Sequence, residues 1–167
     1  GAHGLAAGAL TGRLMLNLDT EEWGEFYLGC AGGVDVNVSR HAAPVLRPAH
    51  LAVFDLALRG LRGGHSGVDI HEERGNAIKL LVRVLRDLCA TLPVQLVSLR
   101  GGTARNALPR EAFATVALPP DQADALHAAL ARWAGLLTDE LTGIESGLSL
   151  TAEPTPAPLP GYVMAPA

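Results

Sequence analysis

The spacing of hydrophobic residues changes several times along this chain, and each spacing predicts a different element. Residues 14–19 form an almost unbroken apolar run that ends at Asp19. Continuous apolar runs are typical of strands covered on both faces, so we expect a strand of a parallel sheet here. Over residues 33–39 valines alternate with polar residues. Strict alternation predicts a second, half-exposed strand.

Beyond residue 50 the pattern predicts six elements in a recognisable order. Alternating residues indicate strands, and apolar residues three or four positions apart indicate helices. The expected elements are a strand at 51–59, a helix at 71–90, strands at 94–100 and 112–118, a helix at 119–143 and a strand at 148–152. This order is that of the ferredoxin-like βαββαβ fold, an α+β arrangement with an antiparallel sheet and both helices on one face.

The same patterns divide the chain into three parts. Residues 1–32 contain the unbroken apolar run that indicates a short piece of an α/β domain, and residues 33–153 contain the alternating strands and the helices. Residues 154–167 are rich in proline. Because proline favours extended backbone without regular hydrogen bonds, we expect this tail to be extended or disordered.

Composition and charge exclude several classes of function. The chain has 167 residues, of which 13 are Lys or Arg and 17 are Asp or Glu, giving a net charge of −4. This balance argues against a nucleic-acid partner. No apolar run reaches the roughly 18 residues of a membrane span, and no secretory signal is visible. The two cysteines have unlike surroundings, as expected of reduced thiols in the cytoplasm.

Three residues are candidates for chemistry, and each has a plainer alternative. Asp19, at the end of the first predicted strand, can bind a divalent metal or simply begin a turn. His65 lies between glycines in the loop Gly63–Gly67, where its imidazole can stabilise an oxyanion or merely face solvent. Asn106 lies between the two middle strands and can bind substrate or cap its own backbone.

Together these segments resemble a known family. The motifs NLDTEE, GEFYLGCAGG, GGHSGVDIHEERGN and GGTARNALPREAFATV follow one another in this order. Their order and spacing resemble those of the M20 family of zinc peptidases, and the last three resemble its aminoacyl-histidine dipeptidase branch. The resemblance extends over about residues 1–150.

This resemblance implies a role for each candidate. Asp19 corresponds to a ligand of one of two Zn²⁺ ions, with other divalent metals as alternatives. His65 corresponds to a lid histidine that polarises the scissile carbonyl, often in the active site of the partner subunit, and Asn106 to a lid residue that contacts the substrate. Residues 1–32 would form the edge of a catalytic-domain segment, and residues 33–153 a lid domain that forms a homodimer.

The remaining ligands of the family have no counterpart here. We find no His-x-Asp motif, bridging Asp, preceding acidic pair or late His. We therefore expect a fragment of a di-zinc, cytoplasmic enzyme that hydrolyses Xaa-His dipeptides, with no activity of its own. The alternatives are another M20 carboxypeptidase or deacylase, and a non-catalytic module for dimerisation or ligand binding.

Overall fold

The chain contains two separate structural units, Gly1–Ser39 and Arg40–Ala167. The structure is a computed structural model, and it describes residues 4–18, 23–29, 32 and 34–164. All the helices and strands discussed below belong to the second unit. The boundary between the units lies seven positions after the boundary predicted at residue 32.

Neither strand predicted for the first 39 residues forms within the described part of this unit. Leu14 and Leu18 are both 89% exposed, and Val38 is 90% exposed. Asp19 lies outside the described residues. Both strand predictions are wrong for the described residues because a hydrophobic pattern expresses only a propensity. A strand also needs a neighbouring strand and an apolar surface to cover it, and none of the strands that the structure describes pairs with these residues.

The second unit has the predicted βαββαβ order, with short additional strands. In chain order the elements are β1 (Pro44–Leu46), β2 (Ala52–Arg59), β3 (Gly64–His65), α1 (Ala77–Thr91), β4 (Gln95–Gly101), β5 (Ala107–Leu108), β6 (Ala112–Leu118), α2 (Ala123–Glu140), β7 (Ser149–Pro154) and β8 (Tyr162–Met164). The main sheet has the antiparallel order β4-β6-β2-β7. The ferredoxin-like α+β fold is therefore confirmed.

Both helices pack against one face of the main sheet and form the principal core with it. The fully buried side chains from the sheet include Leu56 and Leu58, and those from the helices include Leu81, Leu88 and Leu126. Burial of one such side chain contributes about 1.5–3 kcal/mol to folding. Within the described residues, neither helix is long and apolar enough to cross a membrane.

The first helix begins later than its hydrophobic pattern predicts. Residues 70–72 form a 3-10 turn that ends at Glu73, whose φ of 53° lies in the left-handed region. The helix α1 starts only at Ala77, where Asn76 Oδ1 accepts a hydrogen bond of 3.1 Å from the N–H of Lys79. An Asn cap satisfies an N–H that would otherwise lack a partner in the first turn. The prediction of a helix from residue 71 is therefore wrong by six positions.

The proline-rich tail is more ordered than predicted. Its strand β8 pairs with β1, placing Val163 opposite Val45. Val163 is only 2% exposed and packs with Val53 against the face of the sheet that the helices leave open. Arg47 Nε also donates a hydrogen bond of 2.9 Å to the carbonyl of Pro160. Of the two predicted alternatives, the extended one is right and the disordered one is wrong for residues 162–164, because one buried valine and one arginine hold the segment in place.

Candidate functional site

Two of the three candidate residues meet at a small hairpin. The loop that follows β2 contains β3, which pairs with β5 so that His65 lies opposite Ala107. The N–H of Ser66 donates a hydrogen bond of 2.8 Å to the carbonyl oxygen of Asn106. The side chains of His65 and Asn106 are both exposed. The fold therefore brings together two residues that the sequence places in different loops.

The imidazole of His65 is held by its own turn. Its Nδ1 accepts hydrogen bonds from the N–H groups of Gly67, at 3.0 Å, and Val68, at 3.1 Å. A ring nitrogen that accepts hydrogen bonds carries no proton, so the proton of the neutral ring lies on Nε2. Nε2 has no hydrogen-bond partner among the described residues. The exposed imidazole can therefore donate this hydrogen bond to an oxygen of a bound molecule.

The two glycines before His65 are required by the hairpin. Gly63 and Gly64 have φ values of 68° and 149°, which side chains disfavour. A Cβ on Gly64 would also lie 2.6 Å from Arg74 Nη1 and 2.7 Å from Asp69 Oδ2. The glycines thus allow the backbone before the histidine to approach these two side chains closely.

Asp69 and Arg74 connect the hairpin to the chain that follows it. Asp69 Oδ2 accepts a hydrogen bond of 2.6 Å from the N–H of His65, and the Asp69 N–H donates one of 3.1 Å to the His65 carbonyl. Arg74 Nη1 donates to the carbonyl of Gly63 at 2.7 Å, and Arg74 Nε donates to Glu72 Oε2 at 2.9 Å. The hydrogen bond to Glu72 is the main cause that raises the pKa of Arg74, while burial acts in the opposite direction.

Neither residue was among the candidates predicted from the sequence. The signal for Asp69 was its position four residues after His65, since short acidic side chains in loops commonly bind nearby backbone N–H groups. Arg74 has no comparable local signal, because the carbonyl of Gly63 comes within its reach only when the loop folds.

A buried carboxylate anchors the two ends of the same loop. Glu145 is 6% exposed. Its Oε2 accepts a hydrogen bond of 2.8 Å from the N–H of Arg62, and its Oε1 accepts one of 2.9 Å from the N–H of Gly75. These two bonds join the start and the end of the segment that carries His65. Sequence reasoning also missed Glu145, whose partners lie about 70 and 83 positions away.

A cavity of about 660 Å³ lies beside the hairpin. Its lining includes three arginines, Arg62, Arg100 and Arg110, together with the ring of Phe113. The guanidinium of Arg100 lies 4.2 Å above the centre of that ring, within the distance of a cation–π contact. The lining combines positive charge with an apolar surface, which suits a small ligand that has both an anionic and an apolar part.

The described residues do not form a metal centre. Among them, no group of three or more His, Cys, Asp or Glu side chains is placed to hold a metal ion. Asp19, the one predicted ligand, lies outside the described part of the chain, so its role stays a prediction. The substrate-binding role of Asn106 also stays a prediction, since the structure gives only its position.

Comparison with known proteins identifies close relatives that are dipeptidases. The chain is 45% identical over 150 residues to the cytosol non-specific dipeptidase of Escherichia coli (strain K12), which covers 90% of this chain and 31% of that protein. It is 43% identical to the crystal structure of aminoacylhistidine dipeptidase from Vibrio alginolyticus, with a TM-score of 0.77, covering 99% of this chain and 33% of the other. This chain thus spans about a third of the length of both relatives.

The family assignment rests on the region that contains the hairpin. Residues 56–145 match the sequence profile of the M20 peptidase dimerisation domain. The matched region extends from the second half of β2 to the buried Glu145 and includes both His65 and Asn106. Since this match covers more than half of the chain, the protein belongs to the M20 peptidase dimerisation-domain family.

Proposed function

We propose that this chain is the lid part of an M20 dipeptidase, in which His65 stabilises the oxyanion formed during hydrolysis. The supporting observation is the pair of backbone N–H groups that bind Nδ1 and leave the proton on Nε2. When a nucleophile adds to the scissile carbonyl, its oxygen becomes negatively charged. A hydrogen bond from Nε2–H then strengthens, so it lowers the energy of the transition state more than that of the bound substrate.

We further propose that the substrate is an unblocked dipeptide with a C-terminal histidine, and that Asn106 contacts it. Both relatives described above are dipeptidases by name, and one is an aminoacylhistidine dipeptidase. The backbone bond between Ser66 and Asn106 keeps the asparagine next to His65. A side-chain amide offers both donors and an acceptor, which suits the peptide group of a substrate. Another M20 carboxypeptidase or deacylase activity would appear instead in a panel of longer peptides and N-acyl amino acids.

The proposed enzyme uses two Zn²⁺ ions, or other divalent metals, and Asp19 supplies one ligand. Such ions polarise carbonyl groups and lower the pKa of bound water. The described residues do not fit a complete metal centre, so most ligands belong to other parts of the proposed enzyme. Besides Asp19, the contribution of this chain to the chemistry then rests on His65 and Asn106. We place the enzyme in the cytosol, as the name of the Escherichia coli relative does for that protein.

The decisive variant is His65→Ala in the full-length dipeptidase. Loss of one oxyanion donor lowers kcat by about 100- to 1,000-fold. The bound metal, measured by elemental analysis, should stay at the wild-type level because His65 is not a ligand in this proposal. His50→Ala, which changes an exposed histidine in the turn before β2, serves as the control. Wild-type kcat in the His65→Ala variant would refute the proposed role.

A second function, dimerisation, is favoured by the match of residues 56–145 to a peptidase dimerisation domain. We propose that two copies of the chain associate through this domain. Light scattering coupled to gel filtration should then give about twice the mass of one chain, which is 17.4 kDa. A mass of one chain across the micromolar range would contradict dimerisation through this domain alone.

A further inference from the structure

We propose that Asp69 and Arg74 are positioning residues for His65, an assignment that rests on the oxyanion role proposed above. Neither side chain needs to touch the substrate. Together they hold the hairpin in the one shape that fixes both the tautomer and the direction of the imidazole. The proposal follows from three sets of hydrogen bonds that begin at the histidine and end at Glu72.

The first set lies within the turn. Two N–H groups, from Gly67 and Val68, converge on Nδ1 of His65. This convergence requires the backbone after His65 to curl back over the ring. The curl is closed by the bond of 3.1 Å from the Asp69 N–H to the His65 carbonyl. The tautomer therefore depends on the shape of the backbone, and the shape depends on residue 69.

The second set fixes His65 from its other side. Asp69 Oδ2 accepts the His65 N–H at 2.6 Å, so Asp69 binds both the N–H and the carbonyl of the same residue. A carboxylate acceptor makes a stronger hydrogen bond than a neutral oxygen does. Replacing Asp69 by alanine removes this acceptor from the His65 N–H. The His65 backbone then keeps only the pairing of β3 with β5 and the bond from the backbone N–H of residue 69 to its carbonyl.

The third set holds Asp69 itself. Arg74 Nη2 lies 3.4 Å from Asp69 Oδ1 and 2.8 Å from Glu72 Oε2, while Nη1 binds the carbonyl of Gly63. The planar guanidinium thus joins the residue two positions before the histidine to the residue four positions after it. Its side chain is only 14% exposed, and that of Asp69 is 25% exposed. Water screens such a pair less than it screens a fully exposed one.

The proposal makes a direct prediction for nuclear magnetic resonance of this chain in mildly alkaline buffer, where an imidazole is neutral. In the wild type, the two ring nitrogens of His65 should have well-separated ¹⁵N shifts, acceptor-like at Nδ1 and protonated at Nε2. In Asp69→Ala and Arg74→Ala the two shifts should move toward each other. The amide protons of Gly67 and Val68 should lose their hydrogen-bonded shifts at the same time.

Three further variants separate positioning from general stability. Arg83→Ala is the control, because Arg83 also makes two hydrogen bonds to a glutamate, Glu140, but links the two helices rather than the hairpin. This variant should leave the His65 ring shifts unchanged. Asp69→Asn keeps an oxygen for the His65 N–H and should be intermediate. Arg74→Lys keeps the charge but not the planar fork, so it should restore the shifts only in part. The two conservative variants also carry the test if an alanine variant does not fold.

In the full-length enzyme, Asp69→Ala and Arg74→Ala should lower kcat by about 10- to 100-fold, with little change in KM or bound metal, as expected when a catalytic group is misplaced. Wild-type ring and amide shifts in a folded Asp69→Ala variant would overturn the proposal. The proposal would also be overturned if these variants had altered His65 ring shifts but a wild-type kcat. If His65→Ala itself has a wild-type kcat, the oxyanion role fails, and the shifts alone then decide whether the two residues set the tautomer.

Discussion

Gly60 directly follows β2, at a point where two segments of backbone come into close contact. Its φ is 82°, and a Cβ at this position would overlap the carbonyl group of Gly147. A Cβ on Gly147 would in turn lie 2.7 Å from the Gly60 carbonyl oxygen. Both residues are glycines because neither backbone leaves room for a side chain. The close contact lies where the chain passes from β2 into the loop that carries His65.

We expect Gly60→Ala to destabilise the protein by more than about 1 kcal/mol, because it combines an unfavourable φ with a backbone overlap. Gly135 is the matched control, since it lies inside α2 with no atom within 4 Å of a built Cβ. Gly135→Ala should stabilise the protein by about 0.5–1 kcal/mol. Denaturant unfolding followed by circular dichroism measures both. Equal effects of the two substitutions would argue against the close contact as the cause.

Among the elements, the two helices are joined by polar side chains as well as by the apolar core. Asp87 of α1 accepts hydrogen bonds from Trp133 Nε1, at 2.7 Å, and from Arg132, both on α2. The bond from Trp133, followed by that from Arg132, lowers the pKa of Asp87 against the opposing effect of burial. Arg83 and Glu140 form a second link with two hydrogen bonds of 2.8 Å.

Asp87→Asn should lower the melting temperature near neutral pH. The folded-state pKa of Asp87 lies below its unfolded value, so the carboxylate contributes stability above the unfolded pKa. That contribution is lost as the pH falls through the folded pKa. The difference in melting temperature between Asp87→Asn and the wild type should therefore become smaller in acid. Asp139→Asn, at an exposed position of the other helix, α2, should show a smaller difference. If the melting temperatures of Asp87→Asn and the wild type differ by the same amount in acid as at neutral pH, this explanation is contradicted.

At the scale of the whole molecule, the second unit has two apolar clusters of unequal size. The larger lies between the sheet and the helices, and the smaller lies under β8 on the other face, where Val163 packs with Leu51, Val53 and Ala117. The strand β8 pairs only with β1 among the described strands. Its attachment therefore depends on a few side chains, whereas the main sheet is supported by the whole larger cluster.

We expect Val163→Asp to release β1 and β8 without unfolding the main sheet. A charged side chain cannot stay unpaired in the smaller cluster, and detachment of a short strand costs less than global unfolding. Hydrogen exchange measured by mass spectrometry should show faster exchange in β1 and β8, with β2 and β6 still protected. Leu159→Asp, at a position that is 44% exposed, is the control. Equal loss of protection in β2 and β6 would show that the two clusters fold as one.

The sequence alone determined the order of the main elements and the residues most suited to chemistry. The strands β2 and β6 and the stripe of leucines along α1 were predictable because burial on one face imposes a spacing of two or of 3.6 residues. The sequence also indicated that the glycines around His65 expose its imidazole and that the amide of Asn106 can bind a substrate. The M20 resemblance rested on the same motifs, and the match over residues 56–145 confirmed it.

Which segments acquired partners depended on the completed fold. Residues 14–18 and the alternating valines have strand-like patterns, yet they form no strand among the described residues, while a proline-rich tail does. The pairing of β3 with β5 brought His65 to Asn106, and folding of the loop brought Arg74 to Gly63. The physical reason is that a hydrophobic period reports how a segment can be buried. Long-range hydrogen bonds form only where the completed fold places a donor beside an acceptor.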